Sequence, residues 1–176
     1  LWDGPKRELW LIRDRVGIKP LYYSLHNGRL AFASEIKALL EHPGVKAVPE
    51  LRAIDAYLTF GFSPGPGTFF KGVHKLPAGH RLIWNPGLHV MVEPYWQWET
   101  YMRPDGVLKT DADFQARFDE LFENAVRQSA DGFNKPGIAL SGAVEDTAIV
   151  ACLMKDPPPR GLDTFTVGYD GEIGRA

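Results

Sequence analysis

A chain of 176 residues with 44% hydrophobic and 24% charged residues has the make-up of a soluble globular protein, which excludes disordered and fibrous classes. Its 20 basic and 22 acidic residues leave a net charge of -2, and no stretch concentrates five like charges, so neither nucleic acid nor a membrane surface is an expected partner. The single cysteine, Cys152, forms no internal disulfide, and no apolar run approaches the ~18 to 20 residues of a transmembrane helix; a reducing cytoplasm is the expected compartment. The chain opens on Leu1-Trp2-Asp3-Gly4 with no initiator Met or signal segment, which reads as a cut edge.

Leu9 to Ile12 and Gly17 to Tyr23 suit extended chain, and His26-Asn27-Gly28-Arg29 supplies a turn before Leu30 to Ala33, together a predicted β-meander. Ser34 then caps a helix through Ile36, Leu39 and Leu40 that ends at Pro43-Gly44. A second helix covers Leu51 to Phe60, followed by a rigid Ser63-Pro64-Gly65-Pro66-Gly67 loop. Arg81 to Trp84 and Leu88 to Val92 form a hairpin turning at Asn85-Pro86-Gly87.

After Trp98 the character changes. Thr100 to Thr110 is polar and aperiodic, as in a linker. Thr110 and Asp113 carry a capping-box signature, and Phe114, Phe118, Leu121, Phe122, Ala125 and Val126 share one helical face. Gly137 to Leu140 reads as a buried parallel strand, Ala148 to Met154 as a helix and Thr164 to Tyr169 as a strand, which implies a parallel α/β layer; Pro157-Pro158-Pro159 is a stiff connector.

Three phrases, Arg13 to Tyr23 (RDRVGIKPLYY), Phe32 to Leu39 (FASEIKAL) and Lys75 to His80 (KLPAGH), resemble the class II glutamine amidotransferase domain of asparagine synthetases. Tyr57-Leu58-Thr59-Phe60-Gly61 and the third phrase resemble that branch in particular. Leu140-Ser141-Gly142 and Thr164 to Gly168 resemble the first two strands of the family's synthetase domain, so the likeness spans nearly the whole chain. It implies an α/β protein overall: an α+β layered, mostly antiparallel N-terminal-nucleophile amidotransferase piece over 1-98, a linker over 99-110, and over 111-176 the start of a parallel α/β ATP pyrophosphatase (PP-loop) domain.

The activity implied is that of a glutamine-hydrolysing asparagine synthase, which amidates aspartate through an aspartyl-adenylate with ammonia drawn from glutamine. ATP and Mg²⁺ would be its cofactors, glutamine and aspartate its other small-molecule substrates, with a homodimer left open. Alternatives are a cyclising ligase similar to β-lactam synthetases, and a non-catalytic paralogue with a binding or regulatory role.

Arg13-Asp14 is read as a pair that orients a loop rather than a catalytic pair. The family hydrolyses glutamine with an N-terminal cysteine, whereas this chain begins with Leu1 and holds Cys152 in a predicted helix as a buried, inert thiol. No catalytic residue is assigned, and the chain by itself is expected to be inactive. By resemblance ATP would be bound at Leu140, Ser141, Gly142 and Val167.

The family's loop, Ser-Gly-Gly-X-Asp-Ser, is here Ser141-Gly142-Ala143-Val144-Glu145-Asp146. Ala143, Glu145 and Asp146 replace the second glycine, the aspartate and the second serine. Asp146 is expected to repel phosphate unless Mg²⁺ intervenes, which makes Glu145 and Asp146 a candidate Mg²⁺/phosphate pair. No other metal site is expected, since His26, His42, His74, His80 and His89 lack metal-binding spacing. Trp96 and Trp98 are read as packing aromatics.

Overall fold

The structure, a computed structural model, describes residues 1–86, 90–102, 110–158 and 160–168. The chain divides into two compact units, Leu1–Pro104 and Asp105–Ala176.

The first unit is built on two antiparallel sheets. One has the strand order β1-β2-β6-β7, from β1 (Trp2–Asp3), β2 (Glu8–Ile12), β6 (His80–Trp84) and β7 (Met91–Pro94). The other is β4-β3-β5, from β3 (Tyr22–His26), β4 (Arg29–Ala33) and β5 (Val73–Lys75). Two-residue alternation decides which side chains turn inward. Leu11 lies opposite Leu82 in register, and both are buried with Leu76 in one core cluster that Leu9, Leu21 and Trp84 cover. On the opposite face of the first sheet Arg81 pairs with Glu93 directly across the β6–β7 ladder, Nε to Oε1 2.6 Å, and its guanidinium lies 5.0 Å from the Trp10 ring centre. The second sheet packs α1 (Ile36–Leu40) through a separate cluster of Leu39, Val45 and Val73.

The predicted meander is not what forms. β2 and β3 belong to different sheets, and the chain between them is irregular as far as Leu21, so only β3 and β4 make a hairpin. That hairpin follows its turn chemistry: Asn27 and Gly28 both take positive φ, 49° and 74°, as a tight two-residue turn requires. The cap of α1 is Glu35 rather than Ser34, with no side-chain cap bond.

α2 spans Leu51–Phe60 as predicted, and the Tyr57-to-Gly61 phrase is its last turn. Gly61 takes the left-handed conformation, φ 76°, and returns its N–H to the Tyr57 carbonyl at 2.8 Å. The hairpin of β6 and β7 is present, its Gly87 and Leu88 lying outside the described residues. Trp98–Thr100 forms a 3₁₀ turn, and residues 103–109 of the predicted linker lie outside the described residues. Trp96 packs edge-on to Trp98 at 4.7 Å and stacks on Tyr101 at 5.8 Å.

The second unit consists of α3 (Asp111–Ala130), β8 (Gly137–Ala139), α4 (Val144–Met154) and β9 (Asp163–Phe165). α3 starts at a complete capping box. The Thr110 hydroxyl accepts from the Asp113 N–H at 3.1 Å, and the Asp113 carboxylate accepts from the Thr110 N–H at 3.1 Å. β8 and β9 pair in parallel with α4 between them, the strand-helix-strand order the sequence predicts. Val126, Cys152 and Leu153 form the core, packed by Phe122, Ile138 and Ile149. Two expectations fail here. Phe114, Phe118 and Leu121 of the apolar face of α3 are at least half exposed, and β8 is not a buried strand, since Gly137 and Ala139 are exposed. Pro159 and Tyr169 lie outside the described residues. Among the described residues no helix is long and apolar enough to cross a membrane.

Candidate functional site

In the first unit the Arg13-Asp14 segment leaves β2 and must turn without a regular partner. Arg13 makes this turn from inside. Its guanidinium is buried and donates three bonds to main-chain carbonyls: Nη1 to Leu76 at 2.7 Å, Nη2 to Gly17 at 2.7 Å and Nε to Lys19 at 2.9 Å. Asp14 works from outside, its carboxylate accepting the N–H of Ile18 at 2.8 Å and of Lys19 at 3.0 Å. Those bonds, from Lys19 first and Ile18 second, hold the Asp14 carboxyl below the usual carboxylate range.

The loop-orienting role is as predicted, but the two side chains do not achieve it as an ion pair. Each binds backbone independently. The Lys75-to-His80 phrase closes the same node, because the Arg13 N–H donates to the His80 carbonyl at 3.0 Å and the Gly79 N–H to the Asp14 carbonyl at 2.9 Å. Gly79 is required there: its φ is 67°, and a Cβ would lie 2.7 Å from the Trp96 carbonyl oxygen. The Tyr95 hydroxyl donates to the Arg13 carbonyl at 2.7 Å, and nothing in the spacing of the sequence marks this tyrosine. Two phrases 60 or so residues apart thus specify one hydrogen-bonded node, and its chemistry is structural.

In the second unit β8 runs into the Leu140-to-Ala143 loop and then α4. Leu140 is half-buried and joins the end of β9: its N–H donates to the Phe165 carbonyl at 2.8 Å, and the Thr166 hydroxyl donates to the Leu140 carbonyl at 2.7 Å. Val167 follows directly and is 79% exposed, so the two side chains predicted to flank a nucleoside sit at adjacent strand ends. Gly142 takes φ 86° and needs to be glycine. Ala143, at φ -70° and ψ 155°, does not, so replacing a glycine there costs no backbone strain. Glu145 is exposed on the first turn of α4.

Asp146 occupies the third helical position and reaches back over the loop. Its Oδ2 accepts both the Ser141 hydroxyl at 2.6 Å and the Ser141 N–H at 2.9 Å. The hydroxyl bond first, and the backbone bond second, hold its carboxyl below the ordinary value. The first turn of α4 adds its own partial positive charge. A carboxylate is therefore already seated on both Ser141 donors. A capping acid at the third helical position would bond the N-cap N–H of Ala143, but Asp146 reaches past it to Ser141, a contact that no local signal in the sequence marks. Among the described residues no group of three or more His, Cys, Asp or Glu side chains is arranged to hold a metal.

Cys152 is buried, as expected, between α3 and α4. Beside it Lys155 of the α4 C-cap forms an ion pair with Glu123 of α3.

Residues 1–96 match the family model described as the glutamine amidotransferase domain. Over 97% of its length the chain is 30% identical to asparagine synthetase [glutamine-hydrolyzing] 3 of Bacillus subtilis, covering 28% of that protein. It is 34% identical over 98% of its length to a putative asparagine synthetase [glutamine-hydrolyzing] of Mycobacterium tuberculosis, covering 26%. The amidase chry2 of Gibberella zeae is 30% identical over 99% of the chain, which covers 27% of it. The chain thus spans about a quarter of the length of the curated relatives it matches. It belongs to the glutamine amidotransferase domain family, in the branch that contains the asparagine synthetases.

Proposed function

We propose that this chain is the part of a glutamine-hydrolysing asparagine synthase in which the amidotransferase domain meets the synthetase domain. Residues 1-98 then belong to the former, 99-110 link the two, and 111-176 begin a PP-loop domain. The observation that carries the reading is the likeness to named asparagine synthetases over both units, 97% and 98% of the chain, rather than over the amidotransferase region alone. The protein's reaction would be amidation of aspartate with ammonia from glutamine, driven by ATP.

Within that reading Leu140, Ser141, Gly142 and Val167 would face ATP, and Glu145 and Asp146 are the candidates to face Mg²⁺. The residues do not fit a bound phosphate as they stand. Both Ser141 donors are engaged by Asp146, whose negative charge opposes a second anion. Nor do two carboxylates of one helical turn make a metal site on their own, so no catalytic step is assigned to this loop.

The Asp146 contact favours a second reading, a paralogue that keeps the architecture and has given up adenylation. The two are separated by assaying the native protein that carries this sequence for asparagine and pyrophosphate, given aspartate and Mg-ATP with either glutamine or ammonia. Formation of both products establishes the synthase. An amide or cyclic product from another acid would point toward the amidase or β-lactam type of relative. Failure with both nitrogen donors, in a protein whose folding is verified by circular dichroism, supports the non-catalytic paralogue.

A further inference from the structure

We propose that the cleft between the β3–β4 turn and the segment following α1 binds the oxyanion of a phosphate or carboxylate group. This cleft, of about 410 Å³, is lined by His26, Asn27, Arg29, His42, Pro43 and Gly44 and includes no acidic side chain. His26 and Arg29 face each other in register across the hairpin, and directly opposed residues project from the same face of a sheet.

Hydrogen bonding fixes what each imidazole presents. The Gly44 N–H donates to His42 Nδ1 at 3.1 Å, so in the neutral ring the proton sits on Nε2 and is free to donate. The Asn27 amide nitrogen, a donor only, lies 3.0 Å from His26 Nε2, which leaves the His26 proton on Nδ1. Each ring thus keeps one donor for a ligand. Among the described residues no ion pair engages Arg29, so the cleft holds one uncompensated cation beside the two imidazoles.

Gly44 lies between the two rings. A Cβ at that position would lie 3.2 Å from Cε1 and Nδ1 of His42 and 3.3 Å from Cδ2 of His26, so both rings border one small space. A permanent positive charge beside imidazole N–H donors, with no carboxylate in the lining, favours an anion with several acceptor oxygens. The cleft is separate from the Arg13 node and from the Ser141 loop, and it does not depend on the synthase reading.

The test is titration of the 176-residue chain with inorganic phosphate and, in parallel, with acetate, following the imidazole resonances by NMR. Saturable shifts at His26 and His42, without matching shifts at His74 and His80, are expected. Response to phosphate alone identifies a phosphate group as the ligand chemistry, and response to acetate identifies a carboxylate. Arg29→Gln, at an exposed position, should weaken binding roughly fivefold. Absence of saturation by either anion, equal response at all histidines, or unchanged affinity in Arg29→Gln would overturn the assignment.

Discussion

Replacing Arg13 separates a structural guanidinium from a chemical one. Arg13→Met keeps most of the aliphatic stem and removes three donors, leaving the carbonyls of Leu76, Gly17 and Lys19 without them. Only the bond to Leu76 is fully buried; water can reach the other two acceptors. One buried unsatisfied carbonyl costs about 1–3 kcal/mol, and the two partly exposed bonds add about 0.5–1.5 kcal/mol each, so a loss of roughly 2–6 kcal/mol is expected. Arg13→Lys restores charge but delivers its donors from a single point, whereas the three acceptors are spread around a planar fork. It should recover one bond and still lose about 1–2 kcal/mol.

All five tryptophans, Trp2, Trp10, Trp84, Trp96 and Trp98, lie in the first unit, so urea unfolding followed by tryptophan fluorescence reports on that unit alone. A midpoint for Arg13→Met equal to that of the unaltered chain would refute the argument. So would full recovery with lysine, since a point charge would then suffice.

The other expectations concern separate sites. Asp146→Ser should free the Ser141 N–H and remove a negative charge from the loop, raising affinity for Mg-ATP by roughly fivefold, measured by calorimetry; equal or weaker binding would mean that Asp146 serves the ligand rather than displacing it. Because the folded Asp14 carboxyl titrates below its unfolded value, its stabilising effect is complete above the unfolded value and lost as pH falls through the folded one. Asp14→Asn should therefore flatten the acid limb of a stability-against-pH curve, and an unchanged limb would count against the bonds to Ile18 and Lys19. Cys152, buried against α3, should react with an aromatic disulfide reagent only on unfolding; fast labelling of the folded chain would show that the thiol is accessible.

What could be read from the sequence was local. The Leu51–Phe60 helix, the Asn27-Gly28 turn and the Thr110/Asp113 capping box are each specified by residues within a few positions of one another, and each forms as its chemistry dictates. Sheet membership is another matter. β2 and β3 are neighbours in sequence, but β2 pairs with β6 and β3 with β5, at separations that no turn signal spans. A reading that joined adjacent strands was bound to make a meander of them. The same limit applies to α3, whose apolar period is legible while the extent to which Phe114, Phe118 and Leu121 are covered is not.

The two candidate sites differ in how they escaped the sequence, and the difference is physical. Arg13 and Asp14 stand side by side, which suggests a pair; yet neighbouring residues on an extended chain point to opposite sides, so the guanidinium turns into the core and the carboxylate out to the loop. Ser141 and Asp146 are five positions apart with a helix start between them, a geometry that lets the acid fold back over the loop. Reading Asp146 only as a charge facing an external anion overlooks that a carboxylate is itself an anion with two acceptor oxygens. At a helix N-terminus it satisfies the same N–H and O–H donors that a phosphate would. The acid at this position therefore supplies the loop with an internal occupant, and both the Ser141 N–H and its hydroxyl are hydrogen-bonded within the chain.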